Sequence, residues 1–262
     1  MTTKDSLQPT EKSTYISNSS NKYKGESKMN TTKGSPHGTH RKAAIIAGVL
    51  YIIATVACSL YVVITEPILN APDYLVNVSA NANQVIIAAL LLLMDAVAVA
   101  GIAIVIYPIL KKHYETLALG YVGARIVECV LFIIVVISTL TLLTLSQESV
   151  KAGAPDASYF QAGGTLLLAA SDWGFSLGLV IFALSALILN YSLYQSKLIP
   201  RWLSGWGFVG AILVLAVHLL GYFSINLPEI LDYLIAVQEM VFAVWLIVKG
   251  FKSSAIASES AK

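Results

Sequence analysis

The chain has 262 residues, of which 56% are hydrophobic and 12% are charged, with a formal net charge of +2 and a mean hydropathy of +0.73. A soluble domain carries about 25% charged residues, so this chain lacks the charges that a water-facing surface of its size needs. The composition argues against a soluble enzyme, a disulfide-stabilised scaffold and a nucleic-acid-binding protein, and it indicates that the chain's partner is the lipid bilayer.

A polar segment opens the chain. Residues 1–40 are rich in Ser, Thr, Asn and Lys and contain almost no large aliphatic side chains. Such a segment cannot bury enough apolar surface to offset its chain entropy. We therefore expect residues 1–40 to form a disordered cytoplasmic tail. Met29 offers a second start just before the first apolar segment, so the residues up to 28 are candidates for a start-site artefact.

Six apolar segments follow, each long enough to cross a bilayer, which takes about 20 helical residues at about 1.5 Å per residue. They lie at 43–65, 84–110, 117–146, 165–194, 202–223 and 229–250. Because they lack the alternation of β-strands, we predict an all-α polytopic membrane protein with six transmembrane helices. The predicted membrane domain covers residues 41–252, and residues 253–262 form a short cytoplasmic tail.

The basic residues predict the orientation of these helices. If the N-terminus is cytoplasmic, every Lys and Arg except Lys151 lies in a tail, in a cytoplasmic loop or nearer the cytoplasmic end of a helix. Cytoplasmic loops of membrane proteins carry an excess of Lys and Arg. We therefore predict that the N-terminus and the C-terminus are both cytoplasmic.

The sequence offers little chemistry for an enzyme. Cys58 and Cys129 lie inside apolar segments, with no spacing typical of redox or metal sites, and are interpreted as buried hydrophobic side chains. No second histidine accompanies His218 within a predicted span, so a zinc site lacks ligands. The segment Gly174-Phe175-Ser176-Leu177-Gly178 is interpreted as a helix-packing GxxxG motif. With no nucleophile–base pair evident, we expect no catalytic residues, no cofactor and no metal.

Charged side chains inside the spans are the main functional signal, because each costs about 2.5–3.5 kcal/mol at the centre of a membrane helix. Arg125 and Glu128 are three residues apart, so they share one helix face. From that face Arg125 can also pair with a carboxylate on a neighbouring helix. We expect His218 to bond across to Asp172 or Ser171. The predicted intramembrane polar cluster comprises Asp95, Arg125, Glu128, Asp172, His218 and Glu239.

Two interpretations of this predicted cluster stay open. In the first, it is a clamp that fixes helix packing in a non-enzymatic structural or regulatory component. In the second, the protein is a small transporter or proton-coupled permease. The cluster has four carboxylates and a single cationic side chain, and its excess carboxylates exchange protons or bind a cation. The sequence indicates no substrate, and it is compatible with a homo-oligomer.

Several motifs resemble one family. The first span opens Arg41-Lys42-Ala43-Ala44-Ile45-Ile46-Ala47-Gly48-Val49-Leu50-Tyr51, the third contains Ala124-Arg125-Ile126-Val127-Glu128, Leu198-Ile199-Pro200-Arg201-Trp202-Leu203 leads into the fifth, and the last ends Trp245-Leu246-Ile247-Val248-Lys249-Gly250-Phe251. Together they resemble the bacterial multi-pass membrane family called domain of unknown function 4386, over about residues 41–252. The resemblance implies a protein of the bacterial cytoplasmic membrane, and it implies no activity and no catalytic residues.

Overall fold

The computed structural model describes residues 36–153, 157–225 and 227–252, without the side chains of residues 36–39 and 229. The predicted tails lie outside these ranges, apart from residues 36–40, which belong to the first helix. All regular elements in the described ranges are helical, as predicted. They are α1 (Pro36–Leu69), α2 (Tyr74–Ala80), α3 (Ala82–Leu110), α4 (Glu115–Lys151), α5 (Ser158–Ser196), α6 (Arg201–Gly221), a 3₁₀ turn (Glu229–Leu231) and α7 (Tyr233–Val248).

Five of the helices are long and apolar enough to cross a membrane, namely α1 from His40 onward, α3, α4, α5 and α6. The last apolar segment, predicted as one helix over 229–250, is divided. A 3₁₀ turn follows Pro228, and α7 begins only at Tyr233 and has 16 residues. Helix α2, which has seven residues and lies in the connection between α1 and α3, was not predicted from the sequence.

The six long helices, counting the shorter α7 among them, form a closed ring. In chain order α1 contacts α3, α3 contacts α4, α4 contacts α5, α5 contacts α6 and α6 contacts α7, and α7 returns to α1. Sequential elements with short connections usually pack side by side. The short helix α2 packs against α4, where the Ser146 hydroxyl donates a hydrogen bond to the Leu75 carbonyl. A closed ring allows all six long helices to contribute side chains to one central space.

One end of the ring gathers the start of α1, the α3–α4 turn, the α5–α6 loop and the end of α7. Lys112 Nζ lies 3.0 Å from His40 Nε2, and the Lys252 N–H donates to the Leu198 carbonyl at 2.9 Å. We call this the basic end, because it carries Arg41, Lys42, Lys111, Lys112, Lys197, Arg201, Lys249 and Lys252. Lys151 closes α4 at the opposite end.

Arg41 ties α1 to the C-terminus of α7 at the basic end. Its Nη1 donates to the Leu246 carbonyl at 3.1 Å, and its Nη2 donates to the carbonyls of Ile247 at 2.6 Å and Val248 at 3.3 Å. The last carbonyls of a helix lack partners within the helix and carry partial negative charge. Gly250 then turns the chain with a φ of 70°, a conformation that glycine adopts without a Cβ clash.

Helices α1 and α7 approach each other closely at Gly48. A Cβ at this position would lie 2.7 Å from the Ala243 carbonyl oxygen and 2.7 Å from Ile247 Cγ1. We expect Gly48→Ala to lower stability by about 1–3 kcal/mol, because the two helices must move apart. The thermal unfolding temperature of the purified protein measures this effect.

Gly123→Ala on α4 is the matched control. A Cβ there meets no heavy atom within 4 Å, so the substitution should be neutral or stabilise the helix by about 0.5–1 kcal/mol. Equal unfolding temperatures for the two variants would contradict the close approach of α1 and α7 at Gly48.

Candidate functional site

A cavity of about 120 Å³ lies at the centre of the ring and is lined by residues of all six long helices. We call it the central cavity. An engineered apolar cavity of about 150 Å³ admits benzene, so this space accommodates a small organic molecule or several waters. Its polar lining consists of Thr55, Cys58, Ser59, Asp95, Arg125, Glu128, Asp232 and Glu239. Its remaining walls are mainly aliphatic and aromatic.

Arg125 and Glu128 form the ion pair that their spacing on α4 predicts. Both side chains are 2% exposed, and Arg125 Nη1 donates to both carboxylate oxygens of Glu128, at 3.0 and 3.1 Å. Arg125 Nε also donates to the Tyr121 hydroxyl at 3.3 Å, and the guanidinium lies 5.2 Å from the centre of the Phe182 ring. The charge of Arg125 is therefore compensated mainly from its own helix.

Glu239 approaches this pair from α7. One of its oxygens, Oε1, lies 3.9 Å from Arg125 Nη2, and the other, Oε2, accepts a hydrogen bond from Thr55 on α1 at 3.1 Å. The Glu239 side chain is 15% exposed. Glu239 thus links three helices across the cavity, but its contact with Arg125 is longer than a hydrogen bond.

Asp95 lines the same cavity from α3 without taking part in this network. The residue is 3% exposed, and its Oδ2 atom is buried with no hydrogen-bond partner in the described part of the chain. Burying a carboxylate without a partner is costly, and such groups are normally paired or bound to a ligand. Asp232 Oδ1, near the start of α7, also lines the cavity and lacks a hydrogen-bond partner among the described residues. Asp95 and Asp232 are therefore the carboxylates of the cavity that a bound ligand would satisfy, and Asp95 is the more deeply buried of the two.

The cavity reaches the surface between α1 and the start of α7. Ser59 on α1 lines the cavity and is exposed, and Asp232, the residue before α7, lines it and is 28% exposed. The short α7 leaves this opening at the end of the ring away from Gly48. Cys58 and Cys129 were both predicted to be buried and are half-buried, and Cys58 lines the cavity.

His218 lies beside the opening, but its partners differ from those expected. Its Nε2 is 3.3 Å from Asp232 Oδ2, and its Nδ1 is 3.2 Å from Ser176 Oγ. The expected partners were Asp172 and Ser171. Asp172 is exposed on α5 and does not line the cavity. The structure therefore brings Asp95, Arg125, Glu128 and Glu239 to one cavity, connects His218 to it through Asp232, and leaves Asp172 outside.

Several residues of the site were not predicted from the sequence, among them Thr55, Tyr121, Asp232 and Ser176. Asp232 falls at the start of the last predicted span, where a charge looks like an ordinary helix end. Ser176 belongs to Gly174-Phe175-Ser176-Leu177-Gly178, which also fits the Gly-x-Ser-x-Gly string of serine hydrolases. The packing interpretation has support, because a Cβ at Gly178 would overlap the Phe132 ring. The structure nevertheless brings Ser176 and His218 into contact, a pairing that was not evident from the sequence.

A ring of long apolar helices around buried charges defines a multi-pass membrane protein. The family model described as domain of unknown function (DUF4386) matches residues 46–250, so the chain belongs to this family, as its motifs suggested. No significant match was found among curated proteins or among solved structures.

Proposed function

We propose that this protein is a small permease of the bacterial cytoplasmic membrane, which carries a small solute through the central cavity without enzymatic chemistry. The observation that supports the proposal is the cavity with the Asp95 carboxylate on its wall, whose Oδ2 atom has no hydrogen-bond partner among the described residues. A structural clamp needs only a paired arginine and carboxylate, and an additional unpaired carboxylate beside open space weakens such a clamp. The geometry thus favours transport over a purely structural role.

The proposal includes six membrane spans, with α7 as the sixth. Its 16 residues, mainly apolar, rise about 24 Å, and the preceding 3₁₀ turn extends this length. The positive-inside rule assigns the basic end to the cytoplasm, and with it both termini. Reporter fusions should place the connection between α4 and α5, residues 152–157, outside the cytoplasm, and a cytoplasmic signal there would contradict the orientation.

Solute flux into liposomes tests the permease. We expect the purified protein to carry at least one class within a panel of neutral, anionic and cationic solutes of cavity size. Glu239→Gln should lose this flux while remaining folded, because Glu239 links α1, α4 and α7 across the cavity. Asp172→Asn, a change of the same kind at an exposed position, should retain it.

Absence of flux for every class would contradict the permease. If Glu239→Gln also failed to fold, the structural clamp would be the better account.

Ser176, His218 and Asp232 favour a second candidate, an intramembrane hydrolase. Their order of contact, serine to histidine to carboxylate, is that of a catalytic triad, but the serine lies at Nδ1 and the carboxylate at Nε2, the reverse of the usual arrangement. The single proton of the Ser176 hydroxyl is donated to the Tyr222 hydroxyl at 3.3 Å. Ser176 lies within α5, however, where backbone N–H groups are used by the helix and cannot form an oxyanion hole. This candidate therefore ranks second.

Labelling with a fluorophosphonate probe tests the hydrolase. A hydrolase would be labelled at Ser176, and Ser176→Ala would abolish the label while Ser171→Ala, a buried serine on the same helix, would keep it. The permease proposal expects no labelling in any of the three proteins.

A further inference from the structure

We infer that the central cavity binds a small organic cation whose ammonium group pairs with Asp95. The inference rests on the proposed function, in that it names the class of solute that the permease would carry. Three features of the described residues support it: the balance of charge in the cavity, the nature of its walls, and the groups at its opening.

The charges in the cavity favour a positive ligand. Asp95, Glu128, Asp232 and Glu239 line it, against the single cation Arg125 among the described lining residues. Arg125 is held by both oxygens of Glu128, so it compensates little of the remaining charge. A cation placed at Asp95 would supply the partner that Oδ2 lacks.

An anion is disfavoured by the same contacts. Each nitrogen of the Arg125 guanidinium is already directed at a protein group: Nη1 at Glu128, Nε at Tyr121 and Nη2 toward Glu239. An anionic solute would also lie beside the carboxylates of Asp95, Glu128 and Glu239 in the same cavity, at a large electrostatic cost.

The walls favour an organic cation over a metal ion. Within the described ranges, no group of three or more His, Cys, Asp or Glu side chains is placed to hold a metal. The cavity is bounded instead by side chains such as Val99, Ile102, Leu179 and Phe132. These walls suit the apolar body of an alkylammonium ion, whose charged end would lie at Asp95.

The opening is acidic as well. Asp232 lies where the cavity meets the surface, beside His218, and Glu239 lies about two turns further along α7. Carboxylates that line a cleft attract cations and raise their local concentration. A cation would therefore meet negative charge from the opening to Asp95.

Binding of n-butylammonium and of 1-butanol to the full chain in detergent tests the inference. The two probes have the same heavy-atom skeleton, and both have a size suited to the cavity. We expect n-butylammonium to bind the wild type at least about tenfold more tightly than 1-butanol, because a charge-assisted hydrogen bond is added. Asp95→Asn should remove this preference, and Asp172→Asn, the matched control, should keep it.

Each outcome decides the inference. Equal binding of the two probes to the wild type would contradict a cation site, and a preference that survives in Asp95→Asn would contradict its placement at Asp95. Flux of neutral solutes would in either case still support a permease. Failure of both probes to bind would also contradict the cation site, and the measurement of solute flux into liposomes then tests the permease separately. The comparison of the two probes on the wild type shows by itself whether a positive charge on the ligand increases its affinity. The cation site can therefore be tested even if Asp95→Asn does not fold.

Discussion

Glu128→Leu is expected to lower the free energy of unfolding by about 3–5 kcal/mol, because it leaves the Arg125 guanidinium buried without its main partner. The pair is 2% exposed on both sides, and Glu239, at 3.9 Å, is too distant to replace Glu128. The measurement is the reversible unfolding of the protein in mixed micelles.

The matched control is Glu148→Leu. Glu148 also forms an ion pair with a residue three positions away, Lys151, but those side chains are 59% and 70% exposed. An exposed pair of this kind contributes about 0–1 kcal/mol. If the two leucine variants lost the same stability, the buried pair would not have the structural importance that its geometry indicates.

A double variant, Arg125→Met with Glu128→Leu, separates packing from charge. Replacing both members of a buried ion pair by apolar side chains is often neutral or stabilising. We therefore expect the double variant to recover most of the stability that Glu128→Leu loses. A double variant as unstable as Glu128→Leu would indicate that the stability is lost through poorer packing of the substituted side chains and not through an unpaired charge.

Asp95→Leu should raise the stability of the protein, in contrast to Glu128→Leu, and should have a large effect on transport. Its Oδ2 is buried without a partner, so an apolar side chain of similar size should raise the free energy of unfolding by about 1–3 kcal/mol. Flux into liposomes should fall at least about tenfold, because the group that would bind the solute is gone. A residue that weakens the fold and supports transport is typical of a functional site.

Thermal unfolding and liposome flux, measured on the same preparation, check this prediction. Asp172→Leu, at an exposed position on α5, should leave the flux unchanged. A less stable Asp95→Leu protein that still transports would mean that Asp95 serves the fold.

The helices could be predicted from the sequence because apolar length is a local property. The predicted segments coincide with α1, α3, α4, α5 and α6, which extend beyond the prediction by a few residues at some ends. The exceptions depend on tertiary contacts. Helix α2 has only seven residues and packs against α4, and the late start of α7 follows a 3₁₀ turn at Pro228.

The site could be predicted only in part. The contact of Arg125 with Glu128 follows from a spacing of three on one helix, but contacts between helices depend on how each helix is rotated in the ring. That rotation turns Ser171, Gly174 and Gly178 of α5 inward, so Asp172 faces outward. The spacing of these small residues could have indicated which side of α5 is buried. No local pattern could show that Asp95 lies beside Arg125 without pairing with it.

Labelling of Cys58 tests most directly whether the central cavity is a solute site. Cys58 lines the cavity and is half-buried, and Cys129→Ala leaves it as the remaining cysteine of the chain. We predict that 2-aminoethyl methanethiosulfonate, a small cationic thiol reagent, modifies Cys58 in the membrane-embedded protein, and that n-butylammonium slows the reaction while 1-butanol does not. A Cys58 that stays unreactive, or that reacts at the same rate with and without n-butylammonium, would contradict a central cavity that admits and binds a cationic solute.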